Sequence, residues 1–307
     1  MNITKIFYKG IDMKTMIKLI KGSFIGMGNI LPGISGSMIA VILNIYKELI
    51  DAINNFLKQP IKSIQSIWEY MTGAVIGILI GLIGVSYLLD IAPLPITILF
   101  IGFIIGAIPT LYKDVKHVKI KWHHILIFIV MACLMLSVLF IKQGQGTNVN
   151  NFWYYVSVVF VGVIYAIAMI IPGLSGATML MAFGFYQILL DLVSSFKDAL
   201  VTLNFDVFFS ELPILLLLML GALVGIVVMG KLMAMFMKKY PNHFIYAVLG
   251  IVIVSPINII VLLQQETTTS IFKQSIYMYI ISAAMLALGM FISLKLANYK
   301  KEEGKNL

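Results

Sequence analysis

Arginine is missing from this chain: all 22 of its basic residues are lysine. Bidentate guanidinium contacts dominate the readout of phosphate and guanine. These lysines flank apolar runs instead of gathering on a polar module, so nucleic acid is excluded as a partner. Cysteine is nearly missing as well. Cys133 stands alone inside an apolar run, which leaves neither a disulfide framework nor a thiolate metal site. Charge is scarce: 11% of residues are charged against 61% hydrophobic, and the stretches 72–89 and 276–294 carry no charge at all. Apolar runs of this length match a bilayer core about 30 Å thick, so the chain reads as an all-α polytopic membrane protein. No cleavable leader is expected either. Lys5, Lys9, Lys14, Lys18 and Lys21 are mixed with Ile and Met, with no small-residue cleavage site, which predicts a retained interfacial amphipathic helix.

What is present, above all, is a repeat. "ILPGISG" at 30–36 returns as "IIPGLSG" at 170–176, and the same offset of 140 pairs Gly22 with Gly162, Tyr46 with Tyr186, Asp51 with Asp191 and Phe56 with Phe196. Further on, an offset of 148 pairs Gly73 with Gly221, Gly77 with Gly225, Pro93 with Pro241 and Gly102 with Gly250. Two copies of one unit follow, residues 1–146 and 147–307. Each is predicted to hold a PGxSG segment and then three apolar spans, near 71–89, 95–111 and 122–141 in the first copy and 212–232, 243–263 and 275–296 in the second.

The PGxSG segments do not fit as ordinary crossings. Only ten apolar residues, Gly22 to Leu31, precede Pro32, about 15 Å of helix and half the bilayer. Proline removes a backbone donor and glycine bares the backbone, so the break must lie against protein or line a wet cavity. Each segment is therefore predicted to be a re-entrant helical hairpin. Lysine placement agrees. With a cytoplasmic N-terminus and both segments re-entrant, the cytoplasmic side collects 19 lysines and the outer side keeps Lys142, Lys197 and Lys273. Full crossings would break this positive-inside bias. A hairpin plus three crossings is an odd number of traversals, so the second copy is inverted relative to the first and both termini are cytoplasmic. That is the inverted-topology repeat of transporters, with the two PGxSG tips meeting near the midplane.

The tips suit an oxyanion. Pro32, Gly33, Ser35, Gly36 and Ser37 in the first copy, and Pro172, Gly173, Ser175, Gly176 and Thr178 in the second, combine bare backbone N–H groups with hydroxyl donors. Phosphate is the natural ligand; carboxylate or sulfate fit the same donors, and the same pattern also makes a serine-capped helical turn. Glu48, Asp51 and Asp191 lie 12 to 15 residues past the motif glycines, on the order of 20 Å along a helix. They belong at the mouths with Lys21, either as interfacial charges, as coupling residues or, for Lys21 and Lys47, as attractors of a headgroup phosphate. His117, His123, His124 and His243 fall at predicted cytoplasmic span ends, where solvated histidine is usual, and no acidic partner clusters with them for a metal site. Neither a metal nor another cofactor is expected.

The paired segments "GMGNILPGISGSMIAVILNIYKELIDAI" and "IAMIIPGLSGATMLMAFGFYQILLDLV" resemble the bacterial polyprenyl-phosphate (undecaprenyl phosphate) transporter family, and the resemblance covers nearly the whole chain. It implies a multi-pass protein of the bacterial cytoplasmic membrane, with no catalytic residues, that returns undecaprenyl phosphate from the outer to the inner leaflet, its phosphate held by the matching positions Pro32, Gly33, Ser35, Gly36, Pro172, Gly173, Ser175 and Gly176. The physics is consistent. A bare phosphate faces a Born cost of tens of kcal/mol in hydrocarbon, whereas an isoprenoid tail can stay in lipid. Inward movement of an anion opposes the membrane potential by about 2.3 kcal/mol per charge per 100 mV, which coupling to H⁺ or Na⁺ would offset. Two other readings stand beside it. A transporter of a small soluble anion fits the tips equally well. Undecaprenyl-pyrophosphate phosphatase also resembles an inverted repeat with PG-containing tips, but its resemblance implies a tip arginine and a glutamate-rich catalytic motif, and this sequence has neither.

Overall fold

The structure is a computed structural model that describes residues 12–29, 34–117, 119–140, 152–182, 185–186, 189, 205–266 and 274–303. Among the described residues every regular element is helical. Five helical stretches are long and apolar enough to cross a membrane: Pro60–Leu89, Pro93–Lys113, Leu212–Lys239, Pro241–Gln264 and Ile276–Ala297. Pro93–Lys113 is mostly buried, whereas Pro60–Leu89, Leu212–Lys239 and Ile276–Ala297 turn most of their apolar side chains outward. Ile83 is 77% exposed, and only 11% of the most apolar window in Leu212–Lys239 is buried. In water such continuous apolar surface would drive aggregation, whereas in lipid it is solvated. The chain is a multi-pass membrane protein.

Contacts divide the chain into two compact units, one of residues 1–120 with 255–307 and the other of residues 121–254. The first unit opens with α1 (Met13–Gly28), followed by the short α2 (Gly36–Ile42) and α3 (Tyr46–Asn55). α4 (Pro60–Ile80) starts on a proline, whose missing N–H costs nothing at a helix N-terminus, and runs through a π turn, Gly81–Val85, into α5 (Ser86–Ile91). α6 (Pro93–Val115) also begins on proline. The unit is completed by α12 (Ile276–Glu303), which packs along α6.

In the second unit α7 (Trp122–Ser137) precedes α8 (Phe152–Ile170) and the short α9 (Gly176–Ala182). α10 (Phe205–Lys239) packs along α8. α11 (Pro241–Glu266) follows, its residues through Val254 belonging to this unit. The span expected over 122–141 is shorter than the others. Its α-helix ends at Ser137 after 16 residues and gives way to a 3₁₀ turn, Val138–Phe140.

Glycines set the helix crossings. A Cβ on Gly73 would strike the Leu19 carbonyl, and one on Gly77 the Ser23 carbonyl, so α1 and α4 meet backbone to backbone. The equivalent glycines of the second copy behave alike: Gly221 meets Val159 and Gly225 meets Val163, joining α8 to α10. Small residues four apart let membrane helices approach this closely, and dispersion contacts replace the hydrophobic drive that lipid removes. The pair offset by 148 shows the same correspondence: Gly102 abuts Leu286 of α12, and Gly250 abuts Phe128 of α7. The last span of each sequence copy thus packs in the unit that contains the other copy's PGxSG segment. The copy boundary expected from sequence lies near residue 146, while the contacts close around different boundaries.

Candidate functional site

In the first unit α2 packs against α1, and in the second α9 packs against α8, so in each unit the helices that flank a PGxSG segment in sequence lie against one another. Sequence explains why each turn holds. Ser35 has an extended backbone, and its Oγ caps α2 by accepting from the Met38 amide at 3.3 Å while sharing a 3.2 Å hydrogen bond with Ser37 Oγ. Capping satisfies a donor that a helix start leaves open. The Gly36 amide donates to Asn29 Oδ1 at 2.8 Å, tying the start of α2 to the end of α1. In the second unit Gly173 has φ +85°, a conformation that a side chain would strain. The Ser175 carbonyl accepts from the Met179 amide at 3.1 Å, as the Ser35 carbonyl accepts from Ile39 at 3.2 Å.

Both motif glycines are pressed against the preceding helix. A Cβ on Gly36 would stand 2.7 Å from Asn29 Nδ2 and 2.9 Å from Ile25 Cγ2, and one on Gly176 would stand 2.5 Å from the Tyr165 ring. Ile25 and Tyr165 are themselves offset by 140, so the two hairpins share one construction. Ser35, Gly36 and Ser37 are buried, as are Pro172, Gly173 and Gly176, while Ser175 is half-buried. In this arrangement Ser35 Oγ and the Gly36 amide serve the hairpin itself. Pro32 and Gly33 lie outside the described residues, as do the Thr178 side chain and Asp191.

The expected mouth residues of the first copy come together. Lys21 is 3% exposed and donates to the Leu43 carbonyl at 3.1 Å, fixing α1 against the end of α2. Glu48 Oε2 accepts from Tyr70 Oη at 2.9 Å. Lys21, Glu48 and Asp51 line one cavity of about 680 Å³, along with four further lysines.

Two features escaped the sequence reading. Glu69 is buried, with Oε1 3.3 Å from Lys18 Nζ and Oε2 unpaired among the described residues. It sits in an apolar run with no motif around it, so no spacing marked it. The second is a histidine cluster: His123, His124 and His243 bring their ring nitrogens within 4.8 Å of one another. His123 stacks on His243, and His124 stacks on Tyr246. Three imidazoles so grouped could each offer one ligand atom to a metal ion. Two of them adjoin in sequence, but the third lies about 120 residues away and is not their counterpart at either repeat offset, so only folding unites them.

With this geometry in hand, comparison with known proteins is specific. The profile of the undecaprenyl phosphate translocase-like family matches residues 25–278, which include both hairpin turns. The chain is 26% identical over 296 residues to the polyprenyl-phosphate transporter of Staphylococcus aureus, covering 93% of this chain and 97% of that one. It is 24% identical over 245 residues to the polyprenyl-phosphate transporter of Vibrio cholerae, covering 75% of this chain and 73% of that one. No solved structure matches significantly. A match that runs from within α1, across both PGxSG turns and into α12 leaves one assignment: the chain belongs to the undecaprenyl phosphate translocase-like family.

Proposed function

We propose that the protein carries undecaprenyl phosphate from the outer to the inner leaflet of the bacterial cytoplasmic membrane, with the phosphate held by the two PGxSG tips. Family membership makes the chain a transporter and not an enzyme. The observation that carries the finer reading is the duplicated hairpin. Gly36 against Ile25 and Gly176 against Tyr165 are two tips of one build, one in each compact unit.

In this reading the hairpins are re-entrant, the second copy is inverted, both termini are cytoplasmic, and the tips converge near the midplane. Ser35, Ser37 and Ser175 supply hydroxyl donors. Backbone amides at Gly36, once Asn29 leaves it, and at Gly176 add donors for the phosphate, and Pro32, Gly33, Pro172, Gly173 and Thr178 complete the tips. In the resting hairpin Asn29 occupies the Gly36 amide, and it acts as the internal stand-in that an arriving oxyanion displaces. The isoprenoid chain remains in lipid throughout, so only the headgroup needs shelter. Coupling to H⁺ or Na⁺ offsets the potential opposing inward movement of the anion.

The test is leaflet-resolved labelling of undecaprenyl phosphate in cells that depend on this protein, with total mono- and pyrophosphate pools measured alongside. Depletion is expected to raise the outer-leaflet monophosphate. Accumulation of the pyrophosphate form would instead indicate a phosphatase, and altered uptake of free anion with unchanged lipid distribution a soluble-anion transporter. An unchanged outer-leaflet level in a strain without a redundant transporter would overturn the translocase reading.

A further inference from the structure

The cavity of about 680 Å³ in the first unit is a site in its own right, separate from the hairpin tip. α1 contributes Lys14, Lys18 and Lys21, and their i, i+4, i+7 spacing sets three ammonium groups on one helix face. Lys58 and Lys62, another i, i+4 pair, line it from the turn into α4 and the first turn of that helix. Against these five lysines the lining holds two carboxylates, Glu48 and Asp51.

Those acids do not neutralise the site. The lining carries a formal excess of three positive charges, with Glu69 beside Lys18 and the exposed Asp12, which feels Lys14 and Lys18, just outside it. Lys21 is buried with its ammonium fixed by the Leu43 carbonyl, so one of the cations is built into the fold and not merely solvated. A phosphate monoester carries about −1.5 to −2 charges near neutrality, opposite in sign to the lining. A single carboxylate would leave the site positive, and a cation would meet net repulsion. Neutral side chains at Asn55 and Ser63 also line the cavity, whereas Ser66 Oγ already donates to the Ser63 carbonyl at 2.7 Å.

The surroundings select the source of that phosphate. The same turns that carry the lysines expose Met13 and Met16 on α1, and Ile61 and Ile64 on α4. An anionic head flanked by apolar surface is the chemistry of a lipid headgroup. We propose that this cavity is a second phosphate-monoester site, which holds the headgroup of a lipid-linked phosphate at the membrane surface on its way to or from the tips. The identity of the lipid rests on the function proposed above; the preference for a phosphate monoester rests on the cavity alone.

The experiment uses the full chain in nanodiscs of zwitterionic lipid, with farnesyl phosphate, farnesol and inorganic phosphate as probes. Lys58 and Lys62 are exposed, so the double variant Lys58→Gln/Lys62→Gln is expected to insert normally. It should lose affinity for farnesyl phosphate by at least about tenfold, the scale of one charge-assisted hydrogen bond. Asp51→Asn should do the opposite and tighten binding several-fold, a gain that damage to the fold cannot mimic. Farnesol binding should not change in either. Wild-type farnesyl phosphate affinity in the double variant, together with no gain in Asp51→Asn, would overturn the site. Equal affinity for inorganic phosphate and farnesyl phosphate would overturn its lipid assignment. Ser35→Ala/Ser175→Ala separates this site from the tips: if that variant binds normally while the lysine variant does not, the cavity stands and the tip reading falls. Loss in the serine variant alone has the reverse meaning.

Discussion

A single methyl group at Gly73 should loosen the whole first hairpin. In Gly73→Ala the new Cβ would overlap the Leu19 carbonyl oxygen and stand 2.9 Å from its carbon and 3.0 Å from Gly22 Cα. Every one of these neighbours is backbone, so no rotamer change can make room. Reaching ordinary contact at 3.4 Å from the Leu19 carbonyl oxygen requires α1 and α4 to part by more than an ångström unless the backbone bends. A gap of that size forfeits about half of the dispersion well for each atom pair along the crossing. Overpacking of this kind costs about 1 to 3 kcal/mol, a large share of a marginal stability. In detergent the apparent melting temperature should fall by roughly 2 to 10 °C. Gly84→Ala is the control. Its Cβ would meet only Ile80 Cγ2, at 4.0 Å, and its melting temperature should match or slightly exceed wild type. Indistinguishable melting of the two variants, by fluorescence-detected size exclusion after heating, would refute the backbone-to-backbone crossing.

Cysteines introduced at Asn55 and Gly144 in a Cys133→Ser background test the topology: with an impermeant thiol reagent on intact cells, only the residue-144 site should label, and equal labelling of both would remove the inverted-hairpin arrangement. Ser35→Ala and Ser175→Ala should each weaken lipid-phosphate binding by about 1 to 3 kcal/mol, the range for one hydrogen bond to a charged group; wild-type binding in both would reduce the motif to a turn. Asp12 Oδ1 accepts from the Thr15 amide at 2.7 Å, and that bond holds the exposed carboxyl below its ordinary value of 3.8. A depressed carboxyl stabilises above the unfolded value and loses that contribution as pH falls through the folded one. Amide exchange over the first turn of α1 should therefore quicken as the pH is lowered below about 4, and Asp12→Asn should flatten that dependence.

How much of this was readable in the sequence depended on periodicity and duplication. The apolar runs gave the spans because length and composition alone decide what hydrocarbon accepts. The offset of 148 picked out Gly73, Gly102, Gly221 and Gly250, and each became a contact where two helix backbones touch. Partners were harder to read. Nothing local in the sequence says that Gly102 meets Leu286, because the choice of neighbour is made by the whole fold. The mouth residues Lys21, Glu48 and Asp51 were found by their charge, but their union in one cavity with Lys58 and Lys62 needed the turn between α3 and α4. That Lys21 is buried could not be read locally: the carbonyl at the end of α2 gives its ammonium a place to bond. The histidine cluster was missed for the same reason as Glu69: a contact between distant elements leaves no pattern in either one.

The α6 groove that receives α12 also fixes an order of events during synthesis. Gly102 and Gly106 are made early, but Leu286 and Met290, which cover them, leave the ribosome about 180 residues later. At about 5 to 20 residues per second, that delay is on the order of 10 to 40 s. For that interval the first half of the chain sits in the bilayer with its helix-binding face turned to lipid or to the insertion machinery. A ribosome that stops at residue 260 therefore releases a chain whose hairpin has been translated but whose first unit cannot close, and the quality-control proteases of the membrane meet an open groove of glycines.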